Sequence, residues 1–222
     1  MVEQMLIDHQ SLSELIANQI KKKIWNKELP LGERLIETEL AQTFDVSRST
    51  IREAFKILEM DGLIVRKARK GTYITTFTTK DVEEITELRM MIESRAFIHA
   101  LPHMDDEDFQ HLTTLTKQMK QTANQKNWNA LFDLDMEFHR YVVNRSHHVR
   151  MIKIYNSLHA QIRTVLMHFD QLYASFHSLY KEHVDLLQAL KTKDPSMVQK
   201  SVNDHIAYVG EAFLGVNTSS QP

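Results

Sequence analysis

Few residues in this chain can break a helix, and that restricts its fold more than any other feature. Its 222 residues include five glycines and four prolines, and Pro30, Gly32 and Gly62 place three of those nine between positions 30 and 62. Turns are therefore concentrated early. From Thr79 onward apolar residues recur at intervals of three and four, the period of a helix with one buried face. The pattern predicts helices near 81–100, 105–124, 127–145, 148–169, 172–192 and 195–214, with no internal repeat and a short polar tail at 217–222. A run of helices without an intervening strand signal predicts an all-α helical bundle.

The early part reads differently. Leu12, Leu15, Ile16, Ile20 and Ile24 have helical spacing over 11–26, and the turn Glu28-Leu29-Pro30-Leu31-Gly32 ends that helix. A short helix follows at about 37–43, then a turn at Phe44-Asp45-Val46, then a helix over 47–60. Ser47 suits its N-cap because the hydroxyl can accept from an otherwise unpaired backbone N–H, and Asp61-Gly62 supplies the stop. Beyond it, the β-branched or aromatic runs 63–65 and 72–76 flank 66–71, a hairpin with a basic tip and the one persuasive strand signal. Phe77-Thr78-Thr79 is the expected linker, with Thr79 capping the next helix. The expected organisation is mainly α: residues 1–77 form a winged helix-turn-helix with a small β-hairpin wing, and residues 78–222 an all-α helical bundle.

A formal net charge of -2 argues against a chain coated in nucleic acid, but charge is unevenly distributed. Between positions 47 and 70 there are seven basic residues against three acidic ones, a patch of the right sign for phosphate. A lone basic run is usually a solvated surface; here turn, cap, helix and hairpin agree along one segment. Arginines at the start of a recognition helix, Arg48 and Arg52, can pair bidentately with guanine O6 and N7 in the major groove. The hydroxyls of Ser47, Ser49 and Thr50 can reach phosphate or base edges. Ile51, Ala54, Phe55 and Leu58 form the opposite, core-facing stripe. With 42% apolar residues the chain can bury a real core, and it has no cysteine, so disulfides, thiolate metal sites and cysteine nucleophiles are excluded. No apolar run reaches the roughly 20 residues of a membrane span, and no signal peptide is visible, so a cytoplasmic location is expected.

Twelve histidines are many for this length. Asp135 and His139 are four apart and share a helix face. His183 sits among Leu179, Leu186, Leu187 and Leu190, and His205 among Val198, Val202, Ile206 and Val209. Three imidazoles and a carboxylate pointing into a bundle suit a divalent transition metal with positions left open, zinc or nickel first, manganese or iron also compatible. A histidine on an apolar face is more often a hydrogen-bonded core residue, and spacing alone leaves that reading open. His147 and His148 form a loop pair expected to be solvated, as are His99, His103, His111, His168 and His177.

The early segment, with its Pro-x-Gly turn, Leu40-Ala41, Val46-Ser47-Arg48-Ser49-Thr50-Ile51-Arg52-Glu53-Ala54, Leu58, Asp61-Gly62-Leu63 and Lys70-Gly71-Thr72, closely resembles the GntR family of bacterial regulators. The resemblance implies that Arg48 and Arg52 read bases or phosphates, Ser47 and Ser49 hold the DNA backbone, and Lys70-Gly71 forms the wing tip. Members of that family often carry arginine where this chain has Thr38, and Arg34 stands close enough to substitute. The helical region resembles the FCD ligand-binding domain of the FadR subfamily, through Glu87-Leu88-Arg89-Met90-Met91-Ile92-Glu93, Asp135-x-x-Phe138-His139, Glu182-His183 with Leu187 and Ala189-Leu190, and Asp204-His205. In metal-containing members the ligands are one Asp and three His, which fall on Asp135, His139, His183 and His205. The resemblance implies a homodimer, joined through the helical domains, that reads a short palindrome of double-stranded DNA.

Arg89 and Arg163 can either clamp a small carboxylate effector or form ion pairs, for example with Glu93 or Asp135; His159 is a further effector or metal contact. The reading that follows is a DNA-binding transcriptional repressor, not an enzyme, controlled by a small organic acid at a metal-containing pocket. A direct metal sensor, a metal-dependent hydrolase using Glu137 or Glu182 as base, and a dimerisation scaffold with an empty pocket are the alternatives.

Overall fold

A computed structural model describes residues 10–168 and 175–218, with side chains through 207, and the chain divides into two compact units, Met1–Thr76 and Phe77–Pro222. The expected helix start at 172 and the stripe residue Val209 lie outside the described residues and side chains.

In the first unit, helix α1 (Leu12–Trp25) begins at a capping box in which Ser11 and Glu14 satisfy each other's backbone N–H. It packs against α3 (Arg48–Met60) through Ile16, Ala17, Ile20 and Ile24, whereas Leu12 and Leu15, counted in the predicted apolar stripe, are 53% and 46% exposed. Strand β1 (Arg34–Leu35), helix α2 (Glu37–Thr43) and helix α3 (Arg48–Met60) follow, then strands β2 (Ile64–Lys67) and β3 (Gly71–Ile74). Ser47 caps α3 as expected, and Ile51, Ala54, Phe55 and Leu58 are fully buried. The sheet is antiparallel in the order β1-β3-β2. β1 was not legible in the sequence, because two residues cannot show an alternating pattern. It is recruited by pairing, with the Ile74 N–H donating to the Glu33 carbonyl and the Gly32 N–H to that of Ile74. The hairpin is tighter than predicted: Lys67 pairs with Gly71, leaving Ala68, Arg69 and Lys70 as the loop, with Arg69 at φ 60°.

In the second unit Thr78, one residue before the expected cap, opens α4 (Thr79–Ala100) with a capping box closed by Asp81. A single 3-10 turn (Leu101–His103) leads to α5 (Asp106–Asn124), α6 (Trp128–Arg145), α7 (Val149–His168), α8 (Phe176–Thr192) and α9 (Pro195–Thr218). Helix α4 packs against α6, α7 and α9, while α5 packs against α6 and α8. Phe97, Leu112, Phe132, Phe138, Leu179 and Leu190 are fully buried between them. Among the described residues no helix is long and apolar enough to cross a membrane.

One polar clamp joins α5 to α6. Asp108 accepts from the Tyr141 hydroxyl at 2.5 Å and from Arg145 Nη2 at 2.6 Å, and Arg145 also donates to the His103 carbonyl at 2.8 Å. Burial alone would raise the Asp108 carboxyl, but hydrogen bonds from Tyr141, the Asp105 backbone and Arg145 outweigh it and hold it below its ordinary value. A carboxyl whose folded pKa is lowered adds stability above its unfolded pKa of about 3.9 and loses it as pH falls through the folded value. Asp108→Asn is therefore expected to melt earlier than the parent at pH 7, with the gap narrowing below about pH 4, as read by calorimetry across a pH series.

Candidate functional site

Asp135 and His139 stand one turn apart on the buried face of α6, opposite His183 on α8 and His205 on α9. One ligand atom from each of the four lies within 4.8 Å of all the others. Asp135 Oδ1 is 3.1 Å from His183 Nε2, and His139 Nε2 is 3.1 Å from His205 Nε2. The fold thus brings together all four residues singled out from the sequence.

What surrounds the imidazoles orients them. His183 Nδ1 donates to the Leu179 carbonyl at 2.8 Å, His205 Nδ1 donates to Glu182 Oε2 at 2.8 Å, and His139 Nδ1 lies 2.5 Å from Glu93 Oε2. With Glu93 ionised, and Glu182 ionised above about pH 7, the ring protons belong on these outer nitrogens, so the three Nε2 lone pairs point inward. Two such lone pairs 3.1 Å apart repel unless a cation lies between them. His183 Nε2 and Asp135 Oδ2 are buried without a hydrogen-bond partner, which leaves two further donor atoms for that cation.

The electrostatics agree. Burial acts to raise the Asp135 carboxyl, but His183, His139 and Arg89 outweigh it and hold it well below the usual range. Burial and the neighbouring His183 and His139 push His205 well below its ordinary value, keeping it in the neutral form that binds metals. Burial lifts Glu182 to about 7, a shift that a cation on His205 would reverse. The donor set is three nitrogens and a carboxylate oxygen, which fits a divalent transition metal.

The supporting residues were harder to read than the four candidate ligands. Glu93 reaches His139 from α4, a contact that nothing in the spacing of the two residues announces. Its signal is an Arg-Glu pair four apart on an otherwise apolar face: Arg89 Nε donates to Glu93 Oε1 at 2.6 Å, and both side chains are buried. Glu182 is adjacent in sequence to His183, yet it holds His205.

The residues considered as effector contacts are dispersed. Arg89 is in the ion pair with Glu93 and keeps a buried Nη2 without a partner, so one of its donors faces the interior. Arg163, buried on α7, pairs through Nη1 with the exposed Asp133. His159 is half-buried beside the Tyr155 ring at 6.2 Å. A cavity of about 510 Å³ opens between α8 and α9, where Glu182, Asp185, Lys200, Asp204 and His205 line it; Arg89, Arg163 and His159 do not. Three of the histidines expected in solvent are half-buried with partners: His111 against Tyr141, His148 accepting from the Met151 N–H, and His168 bonded to the Thr164 carbonyl.

In the first unit the start of α3 faces outward. The Ser47 hydroxyl accepts from the Thr50 N–H at 3.1 Å and shares hydrogen bonds with the Ser49 and Thr50 hydroxyls. Arg48 and Arg52 are both more than half exposed, and Glu37 on α2 gathers them, at 2.8 Å from Arg52 Nε and 4.0 Å from Arg48 Nη2. At the wing, Arg34 lies across Gly71, and Lys67 Nζ sits 4.9 Å above the Tyr73 ring. Lys70 is exposed at the hairpin tip. Gly71 has φ +114°, and a Cβ there would stand 3.0 Å from Arg34 Nε. Gly71→Ala is expected to cost more than about 1 kcal/mol and to displace Arg34, a loss that denaturant unfolding of the chain would measure.

Residues 12–74 match the bacterial regulatory proteins of the gntR family, and residues 84–208, more than half of the chain, match the FCD domain. The chain belongs to the GntR family and carries an FCD domain. It is 34% identical over 197 residues to the HTH-type transcriptional regulator YdhC of Bacillus subtilis (strain 168), covering 85% of this chain and 84% of that protein. It is 28% identical over 195 residues to the gluconate operon transcriptional repressor of Bacillus licheniformis, covering 86% and 80%. A GntR regulator from Rhodococcus sp. RHA1 superposes with a TM-score of 0.77 at 19% identity, over 93% of this chain and 99% of that one, which establishes the shared fold. Both expected resemblances hold, and so does the mainly α architecture. This GntR protein is a transcriptional regulator, and its relatives are regulators rather than enzymes, so the hydrolase alternative is set aside.

Proposed function

We propose that this GntR regulator is a cytoplasmic, homodimeric repressor whose FCD unit holds a divalent transition metal on Asp135, His139, His183 and His205 and answers to a small organic acid. The observation that carries the metal is the pair of inward Nε2 atoms 3.1 Å apart, each ring having its outer nitrogen within 2.8 Å of a carboxylate oxygen. Zinc or nickel suits the ligands best, with manganese or iron compatible. Once bound, the metal supplies Lewis-acid coordination positions for carboxylate oxygens. Arg89, whose buried Nη2 lacks a partner, supplies the complementary cation from the protein. An acid that binds one arrangement of the bundle better than another shifts the population, and with it DNA affinity, by no more than that differential affinity.

DNA binding rests on Arg48, Arg52, Ser47, Ser49 and Thr50 in the major groove, with Arg34, Lys70 and Gly71 at the wing. The relative named for the gluconate operon puts sugar acids first among compounds to test. Fluorescence anisotropy on a duplex from upstream of the chain's own gene is the direct experiment. Metal-loaded protein is expected to bind, and an acid of the gluconate type to release it. Affinity that instead follows free metal with no acid effect would replace this reading with the metal sensor. Wild-type affinity for any acid after Arg89→Ala would remove Arg89 from the pocket.

A further inference from the structure

Four of the histidines expected to be merely solvated are gathered by the fold at one corner of the FCD unit. His99 closes the last turn of α4, His103 ends the 3-10 turn that follows, and His147 and His148 form the link between α6 and α7. The rings pair across these elements. His103 and His147 have centroids 4.7 Å apart at 81°, and His99 and His148 have centroids 5.6 Å apart. Nothing in the sequence spacing joins positions 99 and 103 to positions 147 and 148.

These separations have a chemical meaning. A metal–nitrogen bond of about 2.0–2.1 Å places each ring centroid about 3.2 Å from the ion, so two imidazoles on neighbouring coordination positions have centroids about 4.5–5.3 Å apart. The three imidazoles of the buried site show this spacing, at 4.8, 5.0 and 5.3 Å. The His103–His147 pair falls in the same range, and the flanking pair is only slightly wider.

The setting favours a cation and holds the pairs in place. The C-terminal ends of α4 and α6, at Ala100 and Arg145, both point their carbonyls toward this corner, where helix dipoles are negative. Arg145 fixes the His103 carbonyl at 2.8 Å, and its own charge is offset by Asp108 at 2.6 Å and Asp105 at 3.7 Å. His147, at φ 51°, is the left-handed residue that ends α6, and its ring meets that of His103 edge-on. His99, His103 and His147 are exposed, so a hydrated ion can reach them without any opening of the bundle.

We propose that His103 and His147, flanked by His99 and His148, form a second, surface site for a late first-row divalent ion such as Zn²⁺, Ni²⁺ or Cu²⁺. It is independent of the buried centre and exchanges faster and binds more weakly, having two principal ligands instead of four. The test uses tag-free, full-length protein stripped with chelator and titrated with Zn²⁺ by calorimetry and equilibrium dialysis. Two equivalents per chain are expected, one tight and one weaker. His103→Asn with His147→Asn should remove the weaker equivalent and leave the tight one; asparagine tolerates the left-handed conformation at 147, so the fold is kept. Copper added after the tight site is filled with zinc should show an electron-spin spectrum with two nitrogen ligands, lost in the double variant. A single equivalent in the parent chain, or a weaker equivalent that survives the double substitution, would overturn the proposal.

Discussion

His183→Ala is expected to leave the purified protein without its metal and to lower the melting temperature of the FCD unit by about 10 °C. The size follows from linkage: a ligand present at about 1,000 times its dissociation constant adds about 4 kcal/mol to the folded state, and a unit of this size shifts by about 2–4 °C per kcal/mol. His183 is fully buried, with Nδ1 bonded to the Leu179 carbonyl and Nε2 facing Asp135. Removing it therefore also leaves a small cavity. The two contributions separate in chelator. If the metal carries the effect, stripped parent and stripped variant should melt within a few degrees of each other, while only the parent gains when zinc is restored. An equal gap in both conditions would assign His183 to packing and remove the metal from the reading.

Arg48→Ala is expected to weaken specific DNA binding by about 1–3 kcal/mol per half-site, roughly 5- to 150-fold, and to blur the preference at one base pair. Lys70→Ala should instead weaken binding to all sequences alike and flatten the salt dependence by about one charge, because phosphate contacts carry no sequence information. Arg52 differs from Arg48 in being held by Glu37 at 2.8 Å. Reaching DNA costs it that ion pair, which at an exposed site is worth at most about 1 kcal/mol, so Arg52→Ala should lose less than Arg48→Ala. Mobility shifts on a base-substituted duplex series, repeated at several salt concentrations, read all three variants. Unchanged affinity and specificity in Arg48→Ala would remove it from recognition.

The elements that could be read from the sequence are those with strong local signals. Ser47 and the stripe Ile51, Ala54, Phe55, Leu58 announced α3 because a cap and a helical period are local properties. β1 and the shift of the cap from Thr79 to Thr78 escaped, one because its pairing is wholly non-local, the other because two threonines in succession are equally good caps. Leu12 and Leu15 fit the apolar period of α1 yet face outward, since periodicity gives a face but not how much of it a partner covers.

At the buried site, residue type and helical spacing, read with the family resemblance, picked out the four candidate ligands that the fold brings together: Asp135 and His139 one turn apart, with His183 and His205 on apolar stripes. Only the tertiary structure decided how those side chains are aimed. Glu93 comes from α4 and Glu182 reaches from α8 to α9, and which carboxylate faces which imidazole depends on how helices distant in sequence cross. The same physics explains His99, His103, His147 and His148, whose meeting between the end of α4 and the α6–α7 link has no local signature. Helical periodicity and breaker-poor composition determined what this chain is built from, because they act within a few residues. Helix packing decided which of its many histidines meet, because that is settled by contacts across tens of residues.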